Sequence, residues 1–406
     1  MSILVSGVSV FDGRSPRRRP GPVLVEGDRI AAVGPEAETR AASAERLDFG
    51  DLRDATLMPG LVDAHIHLAI SGADQSEKAD PDVLMGLRMA HHARINLEAG
   101  ITTIRDIGAK NHIDVHFRRA LERGYVPGPR MLIAGKPIIP TGGHCTYMGR
   151  EVDGPAEARR AAREQIQAGV DWLKLMVTGG IMTHGTDPRT EQMLPDEVAA
   201  VVEVARAAGR PVAAHCQGGP AVRHVIEAGI TSLEHGLWLT EADVDLMVRR
   251  GTYYVPACSS IHLIARGEPV PGNPTPPPPW SVAKARPATE AHRKSFALAL
   301  AAGVKIVAGS DYLQAGLPYE LELMVEWGMN PVDALRSATS VAAEMLGLPE
   351  IGAVEPGKIA DLLVVEGNPC EDIGAVSRPA AVLQSGRIVI RHARAAGRDA
   401  GPAGRA

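Results

Sequence analysis

Apolar and polar positions follow one rhythm at the two ends of this chain and another in its middle. Up to about residue 57 the apolar residues form short runs (3–10, 23–25 and 30–33) broken by Asp12-Gly13, Gly27-Asp28 and Gly34-Pro35, a pattern of short strands and tight turns. From Leu61 onward, short apolar runs alternate with longer stretches in which apolar residues recur at three- and four-residue spacing. Buried strands followed by amphipathic helices produce that alternation. Helices are expected at 82–99, 114–123, 155–168, 195–208, 219–228, 241–250 and 282–302. Strands are expected from Leu61 and at 101–106, 130–134, 172–177, 211–214, 230–233, 253–256 and 305–308, eight in all. Four helical stretches end in Ala-Gly (Ala99-Gly100, Ala168-Gly169, Ala228-Gly229, Ala302-Gly303), with glycine where a left-handed residue follows the last turn.

Eight such units imply an α/β fold with a parallel sheet closed as a (β/α)8 TIM barrel over residues 59–349. A doubly wound open sheet is the alternative, but no Gly-X-Gly-X-X-Gly follows the first strand. Strand-like runs return at 362–365, 381–383 and 388–390, so residues 1–58 plus 350–395 are expected to build one small β-sandwich from both termini. The Arg/Ala/Gly-rich residues 396–406 read as a disordered tail. One stretch breaks the rhythm: 259–281, which contains Pro274-Thr275-Pro276-Pro277-Pro278-Pro279-Trp280. An irregular segment there is either a lid over the site or a plain surface insertion.

Composition narrows the function classes. Apolar residues make up 45% and charged residues 22% of the 406, as in globular enzymes, and aromatics only 3%, so Ala, Val, Leu, Ile and Met must fill the core. A net charge of −5 argues against a nucleic-acid-binding face, which would be basic. No apolar run approaches the roughly 20 residues of a membrane helix. The first twelve residues lack the layout of a signal peptide. Cys145, Cys216, Cys258 and Cys370 are scattered like free thiols of a reducing compartment. A cytoplasmic protein without nucleic-acid or membrane partners is expected; the Ala-rich helices are compatible with a homo-oligomer.

The chemistry concentrates at strand ends. Met58-Pro59-Gly60-Leu61-Val62-Asp63-Ala64-His65-Ile66-His67 ends an apolar run in two histidines one residue apart. In a strand, positions i and i+2 share a face, so both imidazoles can reach one metal ion. Alone this is a weak signal. Barrel enzymes place their chemistry at the C-terminal ends of the strands, and the later ends carry Lys174, His215, His235 and Asp311. Four histidines, a carboxylate and a lysine at equivalent positions point to a metal centre.

These residues resemble those of the amidohydrolase superfamily, in the binuclear subgroup that uses a carboxylated lysine. Gly357-Lys358-Ile359-Ala360-Asp361-Leu362-Leu363-Val364 is similar to the family's closing sandwich segment. Thr141-Gly142-Gly143-His144, Asp171-Trp172-Leu173-Lys174-Leu175-Met176 and Thr178-Gly179-Gly180 resemble the Xaa-Pro and Xaa-Arg dipeptidase, ochratoxin amidase and imidazolonepropionase-related branch. The resemblance implies two divalent metal ions, with zinc the default and cobalt, manganese or nickel also compatible. It assigns His65, His67 and Asp311 to one metal and His215 and His235 to the other, with carboxylated Lys174 as the bridge. It further implies hydrolysis of a small-molecule linear amide, a dipeptide or an N-acyl amino acid. A metal-bridging hydroxide would attack the carbonyl, with Asp311 as general acid/base.

Substrate contacts are expected from His144, which the resemblance also makes catalytic, and from His184 and Arg189 in the Gly-rich loop after the fourth strand. Arg105, at the end of the second strand, either binds a substrate carboxylate through its guanidinium fork or supports the metal shell from within. Tyr254 and His262 are further candidates. One departure stands out: dipeptidases of this branch often carry a Tyr shortly after the fifth-strand histidine, whereas this chain has His215-Cys216-Gln217. Strict dipeptide specificity is therefore in doubt. A cyclic amide, carbamate, lactone or ester substrate remains an alternative on the same metals, and a non-catalytic barrel a distant one.

Overall fold

The computed structural model describes residues 2–72, 74–270 and 273–391, so the expected tail at 396–406 lies outside the described residues. The apolar runs of the middle region form parallel strands. Leu61–Ile66, Ile101–Asp106 and Arg130–Ile133 make a three-stranded sheet with Ile101–Asp106 in the centre. A second sheet runs in the spatial order Arg150–Val152, Ile138–Pro140, Leu173–Met176, Val212–Cys216, Ser232–His235 and Tyr253–Val255. Every neighbouring pair in both sheets is parallel. The strand residues are almost all buried, as expected where helices cover a parallel sheet. The intervening helices Gly154–Ala168, Ala221–Ala228 and Pro279–Ala302 end on left-handed glycines, as their Ala-Gly endings foretold.

Three expectations need correction. The expected eighth strand, 305–308, is no regular strand. It touches both sheets through single bridges, Ile306 beside Tyr254 and Asp311 beside Ile66. The expected strands therefore form two parallel sheets rather than one closed ladder. Its backbone donors are divided: Val307 N donates to Tyr254 O at 2.9 Å, whereas Ala308 N donates to Ser337 O at 3.1 Å and Ser310 N to the Asp63 carboxylate at 3.1 Å. Second, Ile138–Pro140 and Arg150–Val152 are strands that the apolar pattern did not announce; the first is flanked and closed by prolines, which read as loop. Third, 259–281 is not one irregular segment. Cys258–Arg266 is a helix with Ile261 and Ile264 buried, and Pro279 opens the next helix from its first turn, where a missing N–H costs nothing.

The chain ends come together in two further sheets. Ser2–Ser6, Val23–Glu26, Arg29–Val33 and Glu45–Asp48 form one. In the other, Thr56–Pro59 pairs antiparallel with Leu362–Val365, Leu362 facing Pro59. Ile3, Val25, Leu57, Leu362 and Leu383 share one hydrophobic cluster between them. Thr56–Pro59 continues, after Gly60, into the strand that carries His65, so this terminal sheet anchors the start of the site. Among the described residues no helix is long and apolar enough to cross a membrane.

The helix Cys258–Arg266 is held by a buried acid. Glu320 accepts from Cys258 N at 2.8 Å and from Ser259 N at 2.7 Å. Desolvation outweighs these donors and pushes the Glu320 carboxyl up to about 7. A carboxyl whose proton is held more tightly in the folded state stabilises the fold at low pH. That contribution is lost as pH climbs from the usual value of 4.5 through about 7. Glu320→Gln is expected to flatten the fall in denaturant stability over this window. An unchanged slope in urea titrations across it would refute the assignment.

Candidate metal-binding active site

All six sequence-predicted metal ligands line one cavity. His65, His67, Lys174, His215, His235 and Asp311 are brought there from the ends of four parallel strands and from the segment that bridges the two sheets. His65, His235 and Asp311 present donor atoms within 4.8 Å of one another. Asp311 Oδ1 lies 3.7 Å from His65 Nε2 and 3.8 Å from His67 Nε2. The His215 and His235 rings meet edge-on at 4.7 Å between centroids.

The groups behind these rings aim them. Glu234 takes His65 Nδ1 at 2.7 Å, and Gly108 O takes His67 Nδ1 at 2.9 Å, so each histidine turns Nε2 toward Asp311. A ligand histidine tied at its far nitrogen by a carboxylate or carbonyl is the usual support of a metal centre. Burial holds the His65, His215 and His235 imidazoles well below their ordinary range, and it holds His67 at about 4. All four are neutral at physiological pH, the form that binds metal. His235 and Asp311 adopt φ of 72° and 61°, left-handed conformations that non-glycine residues avoid, so the backbone is strained at both residues where the donors meet.

Lys174 is the anomaly. Its side chain is buried, and among the described residues Nζ has no hydrogen-bond partner. Burial first, then the neighbouring Arg105, lowers its ammonium to about 8. His235 Nδ1 is likewise buried without a partner. Orphaned donors and acceptors inside a protein are rare and call for a missing partner. A donor set of four neutral imidazoles, a carboxylate and an unpaired lysine fits divalent cations.

The remaining candidates divide. His144 and Gln217 line the cavity. His144 stacks on His215 at 4.4 Å, and its Nδ1 meets Thr183 Oγ1 at 2.7 Å. Burial, with Lys174 and Lys78 nearby, pushes His144 down to about 3, so the ring is neutral. An added Cβ at Gly180 would sit 2.2 Å from this imidazole, so glycine is needed for the loop to pack on it. Gln217 is buried and its Oε1 has no partner.

Arg105 does not line the cavity. It is fully buried, donates to Glu234 at 2.9 and 3.1 Å, to Ser232 Oγ at 3.0 Å and to Ala64 O, and lies 4.4 Å over the Trp172 ring. These contacts are internal, with Glu234, itself bonded to His65, as the charged partner. Tyr254 is also internal; its hydroxyl donates to His235 O at 2.9 Å. His184 meets Trp280 at 5.5 Å, Arg189 lies over Trp238 at 5.7 Å, and His262 meets Tyr319 at 6.5 Å. None of the three lines the cavity. Arg105→Leu is expected to cost about 3 kcal/mol or more in denaturant unfolding, because it strands a buried carboxylate. A loss of substrate affinity with stability unchanged would restore the substrate role.

Several groups in and behind the cavity were not singled out by the sequence pattern. Glu234 was hidden by its neighbour His235, although a charged residue inside an apolar strand was a usable signal. Asp74, Glu77, Lys78, Lys110, Cys145 and Tyr147 lie on loops whose convergence carries no periodic signature.

The sequence profile of the amidohydrolase family matches residues 56–389. Ochratoxinase from Aspergillus niger is 31% identical to the chain, over 94% of the chain and 84% of that enzyme. Among solved structures, a prolidase complexed with N-methylphosphonate-L-proline is 33% identical, covers 97% of this chain and 100% of its own, and superposes with a TM-score of 0.88. A Xaa-Pro dipeptidase with methionine bound in its active site is 29% identical, covers 96% and 99%, and gives 0.86.

Proposed function

The chain belongs to the amidohydrolase family and is a hydrolase of carbon–nitrogen bonds, and from that premise we propose that it is a binuclear metal-dependent enzyme cleaving a linear amide. The substrate is a dipeptide or N-acyl amino acid with a free carboxylate. The observation that carries this reading is the convergence of six donors on one cavity, with Lys174 Nζ buried and unpartnered among them. The prolidase and ochratoxinase likenesses support amide chemistry. The two parallel sheets are read as arcs of a (β/α)8 barrel over residues 59–349, and the terminal sheets as a composite sandwich.

His65, His67 and Asp311 would hold one ion, His215 and His235 the other, and Lys174 as a carbamate would bridge them. A lysine lowered to about 8 is partly the free amine that adds to carbon dioxide. Bound divalent metal, with zinc the default, supplies Lewis-acid polarisation of the amide carbonyl and brings the pKa of water toward about 7. The protein's own groups do the rest. Asp311, with Oδ1 3.7 and 3.8 Å from the Nε2 atoms of His65 and His67, would take a proton from the attacking water and return it to the leaving nitrogen. Neutral His144 donates to the substrate carbonyl oxygen. The unpaired Gln217 oxygen accepts a substrate N–H.

The test is product formation, read by mass spectrometry, from pooled dipeptides and N-acyl amino acids with metal-loaded protein, and Asp311→Asn as the control for contaminating peptidases. Cleavage of a subset sharing one C-terminal residue is expected. Silence across the pool with two metals bound would overturn it in favour of cyclic amides, carbamates or esters.

A further inference from the structure

Of the charged loop side chains that line the cavity, Asp74, Glu77 and Lys110 each have a hydrogen-bond partner, and Lys78 has none among the described residues. Asp74 accepts from Ser76 N at 2.9 Å, from Ser76 Oγ at 2.7 Å and from Thr275 Oγ1 at 3.3 Å. Glu77 accepts from Ser71 N at 2.7 Å and faces Arg88 Nε at 3.5 Å. Lys110 Nζ donates to Asp80 O at 3.4 Å. Lys78 lines the same cavity and is half-buried, yet among the described residues its ammonium has no hydrogen bond and no carboxylate partner. Its recorded contact is the face of Tyr147, 5.0 Å from Nζ to the ring centroid. A partly desolvated cation held over an aromatic face, without a hydrogen-bond partner among the described residues, has its donors free for an incoming anion. The same cavity is also lined by apolar side chains, among them Ile70, Met85, Met148, Ile181 and Ile264.

We propose that Lys78 is the specificity-determining residue that receives the free carboxylate of the leaving amino acid, with an apolar side chain of that amino acid against these Met and Ile side chains. This rests on the amide-hydrolase reading above and adds to it the substrate class: amides of apolar amino acids with an unblocked carboxyl. Asp74 and Glu77 do not compete for Lys78, because each is already engaged. The ammonium contributes to binding and not to proton transfer, so its removal acts on KM rather than on kcat.

The test compares wild type, Lys78→Met and Lys78→Arg, all metal-loaded, on the best-cleaved dipeptide of the pool and on its C-terminal amide. Lys78→Met is expected to raise KM for the free acid by about 10- to 100-fold, the range of a lost charged hydrogen bond, with kcat nearly unchanged. The same variant should treat the C-terminal amide as wild type does, and Lys78→Arg should recover most of the loss. Equal losses on acid and amide would assign Lys78 a merely structural role and overturn the proposal. A second readout needs no turnover: ligand-observed NMR titration of L-phenylalanine and L-methionine against their amides. Wild type should bind the acids at least 10-fold tighter than the amides, and Lys78→Met should not. If no pool member is cleaved, the proposed reaction fails while this titration still decides on Lys78. Acid and amide binding alike to wild type would refute the carboxylate site.

Discussion

Asp311→Asn is expected to lower kcat by on the order of 10³-fold while most of the metal stays bound, because general acid/base catalysis supplies about 10²- to 10⁴-fold. The substitution keeps an oxygen where Asp311 Oδ1 now sits, 3.7 and 3.8 Å from the Nε2 atoms of His65 and His67. It removes only the ability to accept and return a proton. Nor does it add backbone strain: Asp311 has φ of 61°, a conformation that asparagine tolerates better than most residues. Its backbone is pinned independently of the side chain, with Asp311 N donating to His65 O at 2.6 Å and His67 N to Asp311 O at 2.9 Å. Parallel measurement of kcat and bound metal is the check. Full activity in the variant would remove Asp311 from proton transfer, and loss of metal together with activity would reduce it to a ligand.

Lys174→Ala is expected to abolish metal binding and activity, with partial recovery of both on adding acetate or propionate. The argument starts from electrostatics: an ammonium between two dications would be repelled, whereas a carbamate brings negative charge and two oxygen donors. A short carboxylate diffusing into the space left by the side chain restores that charge. The metal-free protein carries a second signature. Lys174 Nζ is buried and unpaired, so deleting it removes a desolvation penalty rather than a bond. The metal-free variant should therefore unfold at the same temperature as metal-free wild type or higher. Retained metal in the alanine variant, or a fold that collapses without the lysine, would sink the bridging role.

How much of this was readable beforehand depended on whether local patterning carried the information. The strands that hold His65, Lys174, His215 and His235 were legible because strands buried on both faces must be apolar throughout, and a polar residue at such a strand's end stands out. The helix Cys258–Arg266 was missed because the prolines downstream dominated its neighbourhood, although Ile261 and Ile264 carry helical spacing. The eighth strand failed for a reason local pattern cannot express. Residues 305–308 are apolar enough for a strand, but their backbone groups are shared among Tyr254, Ala64 and Ser337, three partners distant in sequence. Arg105 was ambiguous for the same cause. Its identity allows either a ligand fork or an internal pair, and only the position of Glu234 across the interior chose the second.

The amino-acid sequence by itself determined the alternation of parallel strands and helices, the joining of both chain ends into sheet, and the residues able to hold metal. Each depends on side-chain type and on spacing within one element, and hydrophobic burial and strand geometry convert those directly into place. Tertiary structure alone decided that Glu234 and Gly108 aim the two paired histidines, that Arg105 and Tyr254 are internal, and that Lys78 lines the cavity without a hydrogen-bond partner among the described residues. Those outcomes rest on which loops converge and which charges find partners. Such contacts join residues tens to hundreds of positions apart, where no periodicity reports them and only the packed interior selects among them.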